Sequence, residues 1–514
     1  MNEIAFSPRF LTGEFGLLAL ILIFILVEVF KKKPVFASTN RADFERRNRQ
    51  AGWLAAIGMA SLIVIVYVLS LNTVGEEAIL LNNSLKGGGG VYLGKFALML
   101  AGFFAVLLSY RYLSSQDIPG ADYYVLLLFS LLGGITLICA ENFVVVFLGL
   151  EMMSIPIYGL VALKRYGSRA GESAIKYVLL GGFSSAFLLL GISFLYGATG
   201  SLVISEVMAS ISKAVSASQN VTFNTQNLLI GLGLTLVFVG LAFKVSMVPF
   251  HAWTPDVYEG ASTPITAYMS VFVKLAAFAV ILKVFSGAAK LGFFDSILSR
   301  MIAFFALITV IYGNTVAIVQ KNVKRMLAYS SIAHAGYMAL AVAPMSHSLD
   351  AIQAVLFYGI GYIFMNLLAF GVLVYLTHKE VYCETLDDLK GLARRHPLAA
   401  ASMAIAMFSL AGIPPAVGFV GKLQIFMELI HGGMIVTAVI ALLASLVALY
   451  FYLNVIIVMY LKTPDPEEQK IKFEKTGSLP AAVSLGITAA LVLILGILPS
   501  YLINMSLSWA ITLF

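Results

Sequence analysis

The sequence predicts an all-α polytopic membrane protein of about 14 transmembrane helices, and three observations lead there. Of 514 residues, 60% are hydrophobic and only 11% charged. A soluble fold cannot hide that much apolar surface, whereas a many-helix membrane domain must show it to lipid. Apolar runs of about 20 residues recur from end to end, leaving no room for an attached soluble domain. Alternate loops also differ sharply in basic residues. Counted with their flanks, the loops after odd-numbered helices hold 22 of the 33 Lys and Arg, against six at the N-terminus and in the other loops. By the positive-inside rule the basic loops are cytoplasmic and both termini lie outside.

Taken in order, the expected spans are 15–30, 51–71, 93–110, 122–139, 142–163, 173–198, 226–252, 262–285, 299–319, 325–344, 350–377, 397–429, 433–461 and 480–511. The first run, "GLLALILIFILVEVF", is followed by "KKKPVF" without a small-residue cleavage site and reads as a retained helix, not a signal peptide. Glu28 near its end meets the headgroups. The loop "KKKPVFASTNRADFERRNR" carries seven basic residues. "LKGGGGV" reads as a flexible outer connection and 199–225 as a polar outer loop. "TPDPEEQKIKFEKTG" is a solvated inner loop of mixed charge. The formal charge of +7 resides in short loops between apolar runs, which marks topology and not a nucleic-acid-binding face. Cys139 and Cys383 fall on opposite sides of the membrane and form neither a disulfide framework nor a metal site.

Pro249 and Pro255 are expected to break the seventh helix. The prolines and glycines of "LAGIPPAVGFVGKLQIF" are expected to break the twelfth. Proline frees backbone carbonyls that tolerate burial only beside a wet cavity. A duplication is suggested by "SIPIYGLVAL" (154–163) and "SIAHAGYMAL" (331–340), which share five of ten residues, and by Lys244 falling on Lys422 at a similar offset. Helices 4–8 would then repeat, inverted, as helices 9–13. The chain divides accordingly into N-terminal helices (1–120), a first repeat (121–290), a second repeat (291–462) and an inner loop with a C-terminal helix (463–514).

Few ionisable groups lie deep in these helices. Glu151, Lys244, Lys274 and His334 do, and Lys422 follows a break. Each alone reads as a snorkelling side chain, a structural ion pair or a proton-transfer group. Lys176 and Lys283, near helix ends, are expected to snorkel, and Glu141 has no assignable role. His251 is either a mouth group or an interfacial residue. A proton path through a low-dielectric interior needs groups whose pKa can cross neutrality. Lysine suits, because desolvation lowers its pKa by up to ~3–5 units and a nearby carboxylate raises it. Moving Glu151 relative to Lys244 would load or unload a proton. His334, with Ser330, Ser331 and Tyr337 beside it, reads as a relay. No P-loop, dinucleotide fingerprint, haem-attachment motif or cysteine cluster points to redox chemistry on this chain.

The stretches "GLEMMSIPIYGL", "FKVSMVPFHAWTPDVYEGASTPITAYMSVFVKLAAF", "NVKRMLAYSSIAHAGYM" and "LAGIPPAVGFVGKLQIF" closely resemble the antiporter-like subunit N family of bacterial complex I, the proton-pumping NADH:quinone oxidoreductase. The resemblance runs from about residue 120 to 460. It implies a glutamate–lysine pair in Glu151 and Lys244, a central lysine in Lys274, and a lysine on the broken twelfth helix in Lys422. It also implies partners: the neighbouring antiporter-like subunit M, small membrane subunits and lipid. FMN, iron–sulfur clusters and quinone are expected on other subunits, with no cofactor on this chain, in the inner membrane of a bacterium. Subunit M resembles this chain but has glutamate at the place of Lys422, and subunit L has a long lateral extension. The lysine, and an end at Phe514, point to subunit N. A Mrp-type cation/proton antiporter subunit shares the fold, and a scaffold that has lost transport is the remaining reading.

On this topology Lys244 lies in the cytoplasmic half, Lys274 near the middle and Lys422 in the outer half. Protons would therefore load at Lys244 and leave by Lys422. A cysteine placed at Ser38 is expected to resist an impermeant thiol reagent in intact cells and to react in inverted vesicles. Labelling in intact cells would reverse every side assignment.

Overall fold

The computed structural model describes residues 8–30, 41–72, 76–164, 168–217, 225–289, 293–346, 348–377, 383–463 and 478–513. The first ten residues of the basic loop 31–50 and most of the inner loop after residue 463 lie outside them. Three helices come first, α1 (Thr12–Val29), α2 (Arg41–Asn72) and α3 (Val91–Ser115). Then follow α4 (Gly120–Cys139), α5 (Phe143–Ala162), α6 (Ser168–Thr199), α7 (Ile204–Ala217), α8 (Thr225–Lys244), α9 (Trp253–Gly260) and α10 (Thr263–Ala289). The second half holds α11 (Phe293–Ala317), α12 (Val323–Val342), α13 (Leu349–Leu376), the single turn α14 (Leu392–Arg395), α15 (Pro397–Ala411), α16 (Val417–His431) and α17 (Ile435–Tyr460). Two helices close the chain, α18 (Leu479–Ile497) and α19 (Ser500–Leu513).

Twelve described helices are long and apolar enough to cross a membrane alone. The polar-studded α12 and the interrupted pair α15–α16 supply the other two expected crossings. The chain is an all-α polytopic membrane protein. The last predicted span, 480–511, is two helices that part before Ser500.

Two connecting segments differ from expectation. The glycine-rich connection is a β-hairpin, β1 (Glu77–Leu80) and β2 (Leu85–Gly88), with Glu77 opposite Gly88. The polar connection 199–225 contains α7, whose Ile204, Val207, Met208 and Ile211 are buried. Their i, i+3, i+4, i+7 spacing is that of an amphipathic helix lying on the bundle.

At the centre α10 packs against α13, buried all round and nearly so, respectively, while α2 and α6 show most of their surface. An all-round apolar helix of this kind suits the middle of a bundle. Lys274 lies twelve residues into α10. The breaks also fall close to expectation. α8 stops at Lys244, before Pro249, and α15 stops at Ala411, before the Pro414–Pro415 pair. Both breaks contain a cis X–Pro peptide, Val248–Pro249 and Pro414–Pro415. Pro255 breaks nothing, contrary to expectation. It sits in the first turn of α9, where a missing N–H costs no intrahelical bond.

Ion pairs fix the bundle's ends. Lys283 does not snorkel: it is buried, 2.8 Å from Glu141, and donates to Ala140 O at 2.7 Å. Lys176 is half-exposed and is held between Glu172 and Asp256. A pair the sequence did not disclose joins α1 to α3, with Lys95 Nζ 2.7 Å from Glu14 and donating to Phe10 O. Breaking a buried pair from one side typically costs 3–5 kcal/mol. Glu14→Gln is therefore expected to lower the thermal stability of the purified protein measurably, and Glu14→Gln with Lys95→Met to recover much of the loss. Unchanged melting of the single variant would rule out a structural role for the pair.

Candidate functional site

Six side chains were expected to carry the chemistry. The structure draws three of them, Lys274, His334 and Lys422, into one buried polar cluster formed by α10, α12, α13, α16 and α17. Lys244 and Glu151 form a second site on α5, α6 and α8.

At the second site Lys244 is the last residue of α8 and is buried. Its Nζ donates to Ser154 Oγ at 2.9 Å and to Tyr158 Oη at 3.4 Å, both on α5. Glu151, one turn before Ser154, accepts instead from the Ser185 hydroxyl of α6. Among the described residues no direct ion pair joins Glu151 to Lys244. One helical turn, with a serine on each side of the gap, separates acid from amine. Several backbone groups at the break find partners: Met247 N–H bonds Ala242 O, Val248 N–H bonds Thr309 Oγ1 at 3.0 Å, and Trp253 Nε1–H bonds Phe243 O. Ser246, at φ 66°, turns the chain. His251 follows the break, partly buried and edge-on to Tyr312 with centroids 4.5 Å apart.

In the central cluster the Lys274 amine donates to both the hydroxyl and the carbonyl of Ser331 on α12. The adjacent Ser330 Oγ is 2.5 Å from Tyr452 Oη of α17. Tyr452 Oη is 3.0 Å from His334 Nε2, and His334 Nδ1 is 2.6 Å from Tyr358 Oη of α13. A neutral imidazole donates from one nitrogen and accepts at the other, so His334 links the two phenols in either tautomer. Tyr358 packs against Gly421, the neighbour of Lys422: a Cβ there would meet the ring at 2.3 Å.

Lys422 is placed by the helix break. When α15 ends, its last carbonyls lose their intrahelical donors and form the negative end of a helix dipole. Lys422 Nζ donates to two of them, Leu410 O at 2.9 Å and Ala411 O at 3.1 Å, and to Ser445 Oγ at 3.2 Å. It also stands 5.0 Å from the centroid of the Tyr337 ring. Tyr337 Oη accepts from Asn314 Nδ2 at 2.9 Å. Gly412 is required twice over: its φ is +85°, and a Cβ would come within 2.9 Å of Lys422 Cδ.

The sequence matches the model of the family described as NADH:quinone oxidoreductase/Mrp antiporter, transmembrane region, over residues 140–448. The chain belongs to this family. Relatives named NADH-quinone oxidoreductase subunit N narrow it further. One from Cupriavidus taiwanensis is 39% identical, with 80% of this chain and 82% of that one covered. Another from Trichlorobacter lovleyi is 37% identical over 88% and 94%. Among solved structures, a chain of respiratory complex I from Thermus thermophilus with bound aureothin aligns at TM-score 0.76 and 30% identity, over 96% and 98% of the two chains. A chain of the Mrp complex from Dietzia shares the fold, at TM-score 0.78 and 19% identity over 98% and 97%. The alignment to the family covers all six expected site residues.

Sequence reasoning did not single out Ser185, Ser154, Tyr158, Tyr358, Tyr452 or Asn314. One signal was available for the tyrosines, since a phenol inside a fully buried apolar span must find a hydrogen-bond partner. If the Lys422 position depends on Gly412, Gly412→Ala should displace the amine from the α15 carbonyls and lower stability by about 1–3 kcal/mol. A Gly412→Ala protein as stable as the parent, with Lys422 unmoved in its structure, would contradict this.

Proposed function

We propose that this chain is the proton-translocating subunit N of NADH:quinone oxidoreductase, coupling quinone reduction elsewhere in the complex to proton movement through its own buried side chains. One observation carries the reading: Lys274 is hydrogen-bonded to Ser331, and from the next residue, Ser330, hydrogen bonds run through Tyr452 and His334 to Tyr358, which packs beside the neighbour of Lys422. Every member can accept one proton and donate another, which is what a relay requires. Lys244 is the loading group, in the cytoplasmic half. Glu151 modulates it through Ser154 and Ser185. Lys274, His334 and Lys422 carry the proton onward, and Lys422 releases it outward. His251 serves as a group at the cytoplasmic mouth. No redox step occurs on this chain; FMN, iron–sulfur clusters and quinone belong to other subunits. Subunit M and small membrane subunits adjoin it in a bacterial inner membrane, with both termini on the outer side.

Two features support an inverted repeat, helices 4–8 and 9–13, within that scheme. Asn142 and Asn322 cap the N-termini of α5 and α12 alike, and each forms a single β-bridge to the residues that follow the next helix, at Val203 and Thr385. Ser154 and Ser331 occupy matching places in the duplicated stretch, and each binds a buried lysine.

Glu151→Ala, Lys244→Ala and Lys422→Ala are each expected to cut proton translocation by about tenfold or more while the complex still assembles. Removing the acid or the amine deletes one of two neighbouring ionisable groups, so they no longer titrate as a coupled switch. Normal quinone reductase activity and a normal proton gradient in these variants would reject the assignment. Tyr358→Phe and Tyr452→Phe remove only a hydroxyl each. They are expected to slow pumping several-fold, and unchanged pumping in the double variant would remove the phenols from the path.

A further inference from the structure

α2 is too long for its task as a membrane span. Its 32 residues reach about 48 Å at ~1.5 Å per residue, against a hydrocarbon core of about 30 Å. The apolar part, 51–71, fills the core by itself at about 31 Å. The first ten residues, "RADFERRNRQ", therefore run through the headgroup layer as ordered helix. Arg46 and Arg49 in this extension are exposed.

Their direction is set by helical geometry. At 100° per residue Arg46 and Arg49 lie on the same side of α2 as Trp53, Ile57 and Val64. Those three are 52%, 62% and 60% exposed. This face thus passes from guanidinium groups through an indole into an apolar stripe, the order in which a lipid presents phosphate, glycerol region and chain. Trp53 packs edge-on to Tyr110 of α3 at 5.6 Å, and Arg111, the next residue, is also exposed at this level. The nearby acids do not neutralise the face. Glu45 and Asp117 both lie against Arg41, at 3.4 and 4.0 Å, and Asp43 is one turn farther from the apolar span.

We infer that this face of α2 is a binding site for anionic phospholipid, with Arg46 and Arg49 on the phosphate and Trp53 at the top of the acyl chains. Arginine suits the role because its planar fork binds phosphate oxygens in pairs. The site is remote from the proton path, so it stands or falls independently of the function proposed above.

The test uses the intact complex in phosphatidylcholine nanodiscs containing a minority of phosphatidylglycerol. A fluorophore on Gln50→Cys reports quenching by either lipid carrying a nitroxide near the top of its chain. Phosphatidylglycerol is expected to be enriched several-fold over its bulk fraction. Arg46→Gln with Arg49→Gln should bring that enrichment down to about the bulk ratio, and Arg46→Lys with Arg49→Lys should retain part of it. Enrichment in the parent should also fall at high salt. Equal quenching by both lipids in the parent overturns the proposal. So does the absence of quenching by either, which would show that a neighbouring subunit covers the face. Undiminished enrichment in the glutamine variant overturns it as well.

Discussion

An ammonium group inside a membrane protein must be given acceptors, and the way this is done sorts the buried lysines into two kinds. Lys95, Lys283 and Lys324 each meet a carboxylate, from Glu14, Glu141 and Glu384, together with backbone carbonyls. A carboxylate partner favours the charged form and fixes the side chain in place. Lys244, Lys274 and Lys422 meet only hydroxyls and carbonyls within hydrogen-bond distance. A hydroxyl accepts from an ammonium and donates to a neutral amine with equal ease. The first kind are fasteners. The second kind can gain and lose a proton without leaving a neighbour stranded, and the proposed proton path is built from them.

The helix breaks follow from the same requirement. A continuous helix keeps its carbonyls for itself, so a lysine beside it finds few acceptors. Ending α15 at Ala411 releases two carbonyls at the negative end of the helix, and Lys422, in the second turn of α16, folds back onto them. Glycine at 412 lets the chain turn and lets the amine approach. At the other break the lysine is itself the last residue of its helix and reaches across to α5. In both places a proline-marked interruption places a lysine where it can be solvated by protein.

Much of this was legible in the sequence, because lipid imposes a simple code. Hydrophobic length gave the crossings, and prolines lying close to buried lysines gave the two breaks. The misses share a physical cause. Lys283 and Glu141 are 142 residues apart, and Glu14 and Lys95 are 81 apart, so no local pattern could reveal that they meet. Glu151 and Lys244 bond to separate serines, Ser185 and Ser154, again a matter of packing. The α7 helix was different: its apolar spacing was present, but it sat in a stretch whose polar composition masked it. Tyr358 and Tyr452 were hidden because aromatic residues abound in membrane spans and only three-dimensional neighbours show which ones need their hydroxyl.

The contact distances bear on what the cluster can carry. Ser330, Tyr452, His334 and Tyr358 touch one another at 2.5, 3.0 and 2.6 Å, each a full hydrogen bond with no gap between partners. A hydrated cation would have to part these groups and supply its own ligands, and none of the four carries a carboxylate to compensate its charge. A proton has no such need. It enters at one end as a bond from a new donor and leaves at the other after each group exchanges the bond it makes for the bond it receives. The imidazole is the one member that can hold the extra proton on the way, since both its nitrogens then donate, one to each phenol. Direct contact of neutral donors and acceptors, with lysines that have no carboxylate within bonding distance at either end, favours proton transfer over ion passage through this part of the molecule.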